Sequence, residues 1–99
     1  MLVDLQYQYK SQLQNYARSK NLDAPLYSSK CDGPHHALRF KATVTINGHT
    51  FGSPEFFNTL KKAEHAAAKV ALMSLLQDDF QEASFLIIYL HLTVFFPLL

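Results

Sequence analysis

The sequence predicts a single α+β domain in which one helix, three antiparallel strands and a second helix follow one another. Two amphipathic helical patterns flank an alternating strand pattern, which ends at an Asn-Gly pair. Because each helix has one apolar stripe and the sheet has one apolar face, both helices should cover that face. The chain of 99 residues is long enough for one small domain.

The first helix is predicted over residues 6–20. Its apolar residues recur at helical spacing and should form a buried stripe of Tyr9, Leu13, Tyr16 and Ala17. The opposite side carries mostly neutral groups, which both donate and accept hydrogen bonds and therefore suit contact with hydroxyl groups. These residues are Gln8, Ser11, Gln12, Asn15 and Arg18.

Three strands are predicted over residues 26–31, 40–46 and 49–53. In the second strand the alternation directs four residues inward, namely Phe40, Ala42, Val44 and Ile46. Tyr27 and Phe51 are the expected inward residues of the flanking strands. Asn47-Gly48 predicts a type I′ turn, and the composition of residues 32–36 predicts a loop.

The second helix is predicted over residues 58–76, with Thr59 as its N-cap. Its apolar stripe consists mainly of small residues, which allow close packing on a sheet: Ala63, Ala67, Val70 and Ala71. The opposite side should carry Lys61, His65 and Lys69. The free N–H groups of the first turn, the helix dipole and two ammonium groups, on Lys61 and Lys62, favour phosphate binding there.

The charge is unevenly distributed along the chain. Residues 1–76 carry nine basic and five acidic residues, a net charge of +4, and residues 77–82 add three acidic residues. A modestly basic domain suits an anionic partner. We expect the domain at residues 5–76, an acidic linker at 77–82 and an apolar tail outside the fold at 83–99.

The apolar tail admits three interpretations. Its 17 residues reach the lower limit for a membrane span, so it could be a marginal tail anchor, an aggregation-prone segment, or a sequence that was never selected as part of the fold. We favour the last and do not expect membrane binding. The lack of a signal sequence and the single cysteine predict a reducing compartment, the nucleus or the cytoplasm.

Three segments resemble a known family: YKSQLQNYARSKNL, GPHHALRFKATVTINGHTFGSP and LKKAEHAAAKVALMSL. They are similar to the first double-stranded-RNA-binding domain (dsRBD) of plant proteins that assist Dicer-like enzymes. The resemblance implies the α-β-β-β-α dsRBD fold and shape-dependent binding across two minor grooves and the intervening phosphates. It also implies an accessory role in small-RNA processing, without enzyme activity, metal or cofactor. The implied partners are double-stranded RNA, a Dicer-like nuclease or another dsRBD protein.

The resemblance implies RNA contacts in the first helix and in the first loop. Ser11 and Asn15 match the family's contact pair, although the family usually has Glu at the second position. Gln8 and Gln12 flank this pair. The loop matches the family motif GP-x-H through the residues Gly33, Pro34, His35 and His36, with His36 as the matching histidine.

The third implied contact is the start of the second helix, where the family motif is K-K-x-A-K. Lys61 matches the second lysine, and Lys62 occupies the variable position. Leu60 replaces the first lysine and Glu64 replaces the last. A carboxylate that faced a phosphate would weaken binding, so we expect lower affinity than the full motif would give.

Other functions fit the sequence less well. A metal site would have to combine one thiol with three imidazoles, without paired ligand sets: Cys31, His35, His36 and His49. Catalysis is not expected, because the sequence indicates no carboxylate beside these residues that could orient a catalytic base. An RNA-binding domain of the RRM type is not expected either, because the outward strand residues include no aromatic side chains on which bases could stack. The remaining alternative is a protein-interaction dsRBD with weak RNA affinity. The basic residues of the second helix favour RNA, whereas Asn15 and Glu64 keep the alternative open.

Overall fold

The computed structural model describes residues 8–95, with side chains as far as Asp78. The elements are α1 (Tyr9–Ser19), β1 (Leu26–Asp32), a 3-10 turn (His35–Ala37), β2 (Arg39–Ile46), β3 (His49–Gly52) and α2 (Leu60–Phe95). This order, with its three-stranded antiparallel sheet and two helices, confirms the predicted fold class.

The sheet has β2 at its centre, in the order β1-β2-β3. Tyr27 of β1 and Phe51 of β3 lie on either side of Val44, and both are half-buried, as predicted for the inward residues. At the β2–β3 turn the φ angles are 52° for Asn47 and 78° for Gly48. Two positive φ angles define the type I′ turn and confirm that prediction.

The core forms where α2 packs on the inward face of β2 and on α1. Four alanines of α2 are fully buried, namely Ala63, Ala67, Ala68 and Ala71. They pack in one cluster with Ala42, Val44 and Ile46 of β2 and with Leu13 and Ala17 of α1. The buried stripe includes Ala68, whereas Val70, which the periodicity placed in it, is only half-buried.

The helix boundaries differ from the predictions at two places. Helix α1 begins at Tyr9, and its N-cap residue Gln8 makes no side-chain capping hydrogen bond; the earlier predicted start lies outside the described residues. Helix α2 continues through the expected linker, residues 77–82, as far as Phe95. No Gly or Pro occurs in residues 77–95, so no residue there interrupts the helix.

The role expected for residues 83–99 stays a prediction, and residues 96–99 lie outside the described part of the chain. Within the described part, no helical stretch combines the length and the apolarity that a membrane crossing requires.

The loop between β1 and β2 depends on Gly33, which has a φ of 98°. A Cβ atom at this position would lie 2.6 Å from the carbonyl oxygen of Ala37. Asp32 stabilises the same turn, since its Oδ1 accepts a hydrogen bond of 2.8 Å from the Gly33 N–H. Its Oδ2 lies 3.0 Å from Nη2 of Arg39, across the base of the loop. The loop therefore has a defined backbone course.

The segment before α2 is attached to the start of β2. Phe57 and Phe40 exchange two backbone hydrogen bonds of 2.7 and 2.8 Å, and α2 begins three residues later, at Leu60. The buried Ser53 supports this segment, because its Oγ accepts from the Ala42 N–H at 3.1 Å. The first turn of α2 is consequently held near the end of β2 that carries the loop.

The close contact between α2 and the sheet predicts that Ala67→Leu will destabilise the domain. Ala67 is fully buried, and extra methylene groups in a close-packed site cost about 1–3 kcal/mol. Urea unfolding followed by circular dichroism measures the change. The control is Ala66→Leu at the adjacent, half-buried position; an equal loss in both variants would contradict the inferred packing.

The geometry of the first loop predicts that Gly33→Ala will lower stability by about 1–3 kcal/mol, because the side chain adds both a clash and an unfavourable φ. The measurement is the free energy of unfolding. Gly52→Ala is the matched control, since its nearest neighbour would be 3.9 Å away. Gly48→Ala separates the two causes, because Gly48 has a positive φ and no atom within 4 Å of the added Cβ.

Candidate nucleic-acid interface

The polar row of α1 faces solvent, as the sequence predicts. Ser11, Gln12, Asn15 and Arg18 are exposed, while Gln8 is half-buried. The orientation is fixed from the other side, where Leu13 and Ala17 are 0% and 1% exposed. Four side chains of the row can therefore reach an outside partner, and they offer hydroxyl, amide and guanidinium groups.

The loop residues named from the sequence are also exposed. Gly33 and Pro34 lead into the 3-10 turn, which carries His35 and His36. This turn is closed by a 2.9 Å hydrogen bond from the Ala37 N–H to the Pro34 carbonyl. The backbone that carries the two imidazoles is therefore held in one conformation by the 3-10 turn and by Gly33.

The start of α2 has the predicted cap. Thr59 Oγ1 accepts a 3.1 Å hydrogen bond from the Lys62 N–H, which confirms Thr59 as the N-cap. Lys61 is exposed. Lys62 is half-buried, and its Nζ lies 3.3 Å from Oδ1 of Asn58. The two predicted phosphate ligands thus differ in exposure, and the Lys62 ammonium is directed toward the segment before the helix.

The Glu64 carboxylate forms an ion pair with α1. Its Oε1 lies 3.0 Å from Nζ of Lys10, and the two side chains are 23% and 36% exposed. Sequence analysis named Glu64 as a departure from the family motif but did not identify Lys10. No local signal could have shown the pair, because its members are 54 positions apart.

His65 corrects one expectation about α2. The helical periodicity placed it on the solvent side, but the imidazole is half-buried and lines a cleft of about 700 Å³ together with Tyr9, Lys62 and Lys69. Burial lowers the pKa of His65, and the nearby charges of Lys10 and Lys61 lower it further. The ring therefore carries less positive charge near neutral pH than an ordinary histidine would, even though the Glu64 carboxylate raises its pKa in part.

The three regions are connected through neighbouring contacts. The Lys10–Glu64 pair joins α1 to the first turns of α2, and the pairing of Phe57 with Phe40 ties the segment before α2 to the strand that follows the loop. The α1 row, the loop and the start of α2 therefore belong to one connected framework.

The face of the sheet that the helices leave open carries further basic residues. Lys30 of β1 is directly opposite Lys41 of β2. Arg39 and Lys41 lie 4.7 and 5.0 Å from the ring centroid of Phe56. Nowhere in the described part of the chain do three His, Cys, Asp or Glu residues form a group that could hold a metal ion.

Comparisons with known proteins agree with the fold and with the sequence motifs. The family model of the double-stranded RNA binding motif matches residues 9–75. Double-stranded RNA-binding protein 1 of Oryza sativa subsp. japonica is 57% identical over 70 residues, which are 71% of this chain and 16% of the relative. Double-stranded RNA-binding protein 2 of Arabidopsis thaliana is 51% identical over 67 residues, which are 68% of this chain and 15% of the relative.

Solved structures give the same result. The solution structure of the first dsRBD of DRB4 is 57% identical, with a TM-score of 0.65, and covers 69% of this chain and 94% of that one. The structure of Arabidopsis HYL1, described with its implications for miRNA processing, is 40% identical, with a TM-score of 0.66, and covers 69% and 96%. This chain spans only 15–16% of the length of the two full relatives. The chain belongs to the double-stranded RNA binding motif family.

Proposed function

We propose that this chain binds double-stranded RNA by its A-form shape, without strong sequence specificity. The observation that carries the proposal is the capped start of α2, where Thr59 fixes the first turn and Lys61 is exposed beside it. A helix N-terminus with an adjacent ammonium group is suited to a phosphate. The family membership supports a nucleic-acid phosphate as the ligand.

The α1 row and the loop between β1 and β2 would supply contacts to the minor groove, which distinguish RNA from other phosphate-bearing ligands. In A-form RNA the major groove is too deep and narrow for side chains to read, whereas the minor groove displays 2′-hydroxyl groups. Ser11, Gln12 and Asn15 present groups that both donate and accept hydrogen bonds. The loop with His35 and His36 would reach a second minor groove, and the lysines of α2 would contact the phosphates between the two grooves.

We further propose that the chain acts as an accessory in small-RNA processing, with a Dicer-like nuclease or another dsRBD protein as partner. Support comes from its similarity to HYL1, whose structure is described in connection with miRNA processing. The single thiol, on Cys31, is free and exposed, which supports action in the reducing nucleus or cytoplasm.

A second candidate function is protein interaction with weak RNA affinity. The Lys10–Glu64 pair favours it, because Glu64 stands where the family motif has a phosphate-binding lysine and the pair has no net charge. Linking several weak modules raises the affinity of the whole protein. The relatives are far longer than this chain, so a weak single domain is compatible with tight binding by a longer protein.

The double substitution Lys61→Ala with Lys62→Ala should reduce affinity for a long RNA duplex about ten- to hundredfold, because two phosphate contacts and their counterion release are lost. Fluorescence anisotropy with a labelled duplex measures the change, and circular dichroism verifies the fold.

The charge-matched control is Lys30→Ala with Lys41→Ala on the open face of the sheet. These two lysines are directly opposite each other, and like charges in that arrangement are unfavourable. Their removal relieves this repulsion but also removes the contact of Lys41 with Phe56, so circular dichroism verifies the fold of this variant too. Equal losses in the two double variants would mean that only net charge matters. Unchanged affinity in the Lys61 and Lys62 variant would favour the protein-interaction function.

Salt and duplex type provide an independent test. With two to four phosphates neutralised, the slope of log affinity against log salt should be about −2 to −4. A panel of RNA duplex, RNA–DNA hybrid, DNA duplex and single strands should rank the RNA duplex first, since 2′-hydroxyls and A-form grooves are both required. A much steeper slope with equal affinity for duplex DNA would contradict shape recognition.

A further inference from the structure

The Lys10–Glu64 pair joins α1 to the first turns of α2, which are two of the proposed contact regions, and neither residue is among the predicted RNA contacts. Lys10 directly precedes the exposed Ser11 on α1, and Glu64 follows Lys61 and Lys62 in the first turns of α2. The distance of 3.0 Å between Nζ and Oε1 makes the pair a direct, charge-assisted hydrogen bond. Both side chains keep some exposure, at 36% and 23%, so their charges act on a partner at this surface.

The ring of Tyr27, on β1, packs against the Lys10–Glu64 pair and helps to hold it in position. The Lys10 ammonium lies 4.5 Å from the centroid of this ring, a favourable cation–π distance. Burial, followed by the charge of Glu64, raises the pKa of Tyr27 to about 12. The phenol therefore stays neutral, and the pair has one defined place at the junction of α1, β1 and α2.

Without a neutralising partner, the Glu64 carboxylate would weaken the attraction that Lys61 and Lys62 exert on a phosphate. Glu64 is two residues after Lys62 and three after Lys61, within one turn of the helix. Charges at such distances interact appreciably near a protein surface. A phosphate attracted by the two lysines would then also meet the repulsion of Glu64.

We propose that Lys10 is a positioning residue for RNA binding, which holds and neutralises the Glu64 carboxylate so that the start of α2 can accept RNA phosphates. The proposal rests on the proposed binding of double-stranded RNA and explains how this surface functions without the last lysine of the family motif. Lys10 acts through Glu64 and not by its own contact with RNA.

The test is a double-mutant cycle with Lys10→Met, Glu64→Gln and the combination of both. Methionine keeps an apolar side chain over the Tyr27 ring, and glutamine keeps the shape of Glu64. Affinity for one RNA duplex is measured for the three variants and the unchanged chain. Such a cycle isolates the coupling between two side chains in contact.

Lys10→Met alone should weaken binding about three- to fivefold, the size expected for one partly exposed charge pair. Glu64→Gln should bind at least as tightly as the unchanged chain. In the Glu64→Gln background, Lys10→Met should have almost no effect, because no carboxylate remains to be neutralised. Raising the salt concentration should reduce the deficit of the single variant, since salt screens the repulsion.

Three outcomes would overturn the proposal. An equal loss from Lys10→Met in both backgrounds would show that Lys10 contacts the RNA itself, and no loss in either background would show that Glu64 does not oppose binding. A deficit that tracked the unfolding temperature and was insensitive to salt would reveal a purely structural role and would overturn it as well.

Failure of the proposed function is a separate result. It would appear in the unchanged chain, as a lack of preference for RNA duplex over DNA duplex, before any variant is compared.

Discussion

The close contact of the alanine face of α2 with the sheet is the constraint on which the rest of the domain depends. With Ala63, Ala67 and Ala71 fully buried, little side chain separates the helix from β2, and the two backbones approach closely. Close-packed protein interiors tolerate little adjustment. The position of the first turn of α2 is therefore fixed by the core, together with the lysines that it carries.

Much of the domain could be predicted from the sequence because its signals are local. The alternation of β2, the Asn47-Gly48 turn and the Thr59 cap each depend on residues within a few positions of one another. Other features depend on tertiary contacts or lack a local signal. The half-burial of His65 depends on what packs beside α2, the Lys10–Glu64 pair joins residues far apart in sequence, and α1 lacks a side-chain cap to mark its start.

The end of α2 shows a different limit of sequence reasoning. An acidic linker at residues 77–82 and an abrupt change of composition at Ala83 were expected, yet α2 continues as a helix through both, as far as Phe95. The division into domain, linker and tail stays a prediction. Composition reports which surroundings a segment prefers, whereas Gly and Pro, the residues that make helix continuation most costly, do not occur between Gln77 and Phe95. The exposure of candidate contact residues was predictable from the sequence, since Ser11, Asn15, His36 and Lys61 all face solvent, but their roles in RNA contact stay predictions.

The order of the strands has a consequence for how quickly the chain can find its structure. Strands that pair in space also follow one another in sequence, and only two residues separate β2 from β3. Bringing such segments together costs little loop-closure entropy, and short-range topologies fold faster than long-range ones of similar stability. The strand pairs of the sheet therefore join segments that are near in sequence, and none of them requires a contact between the two ends of the chain.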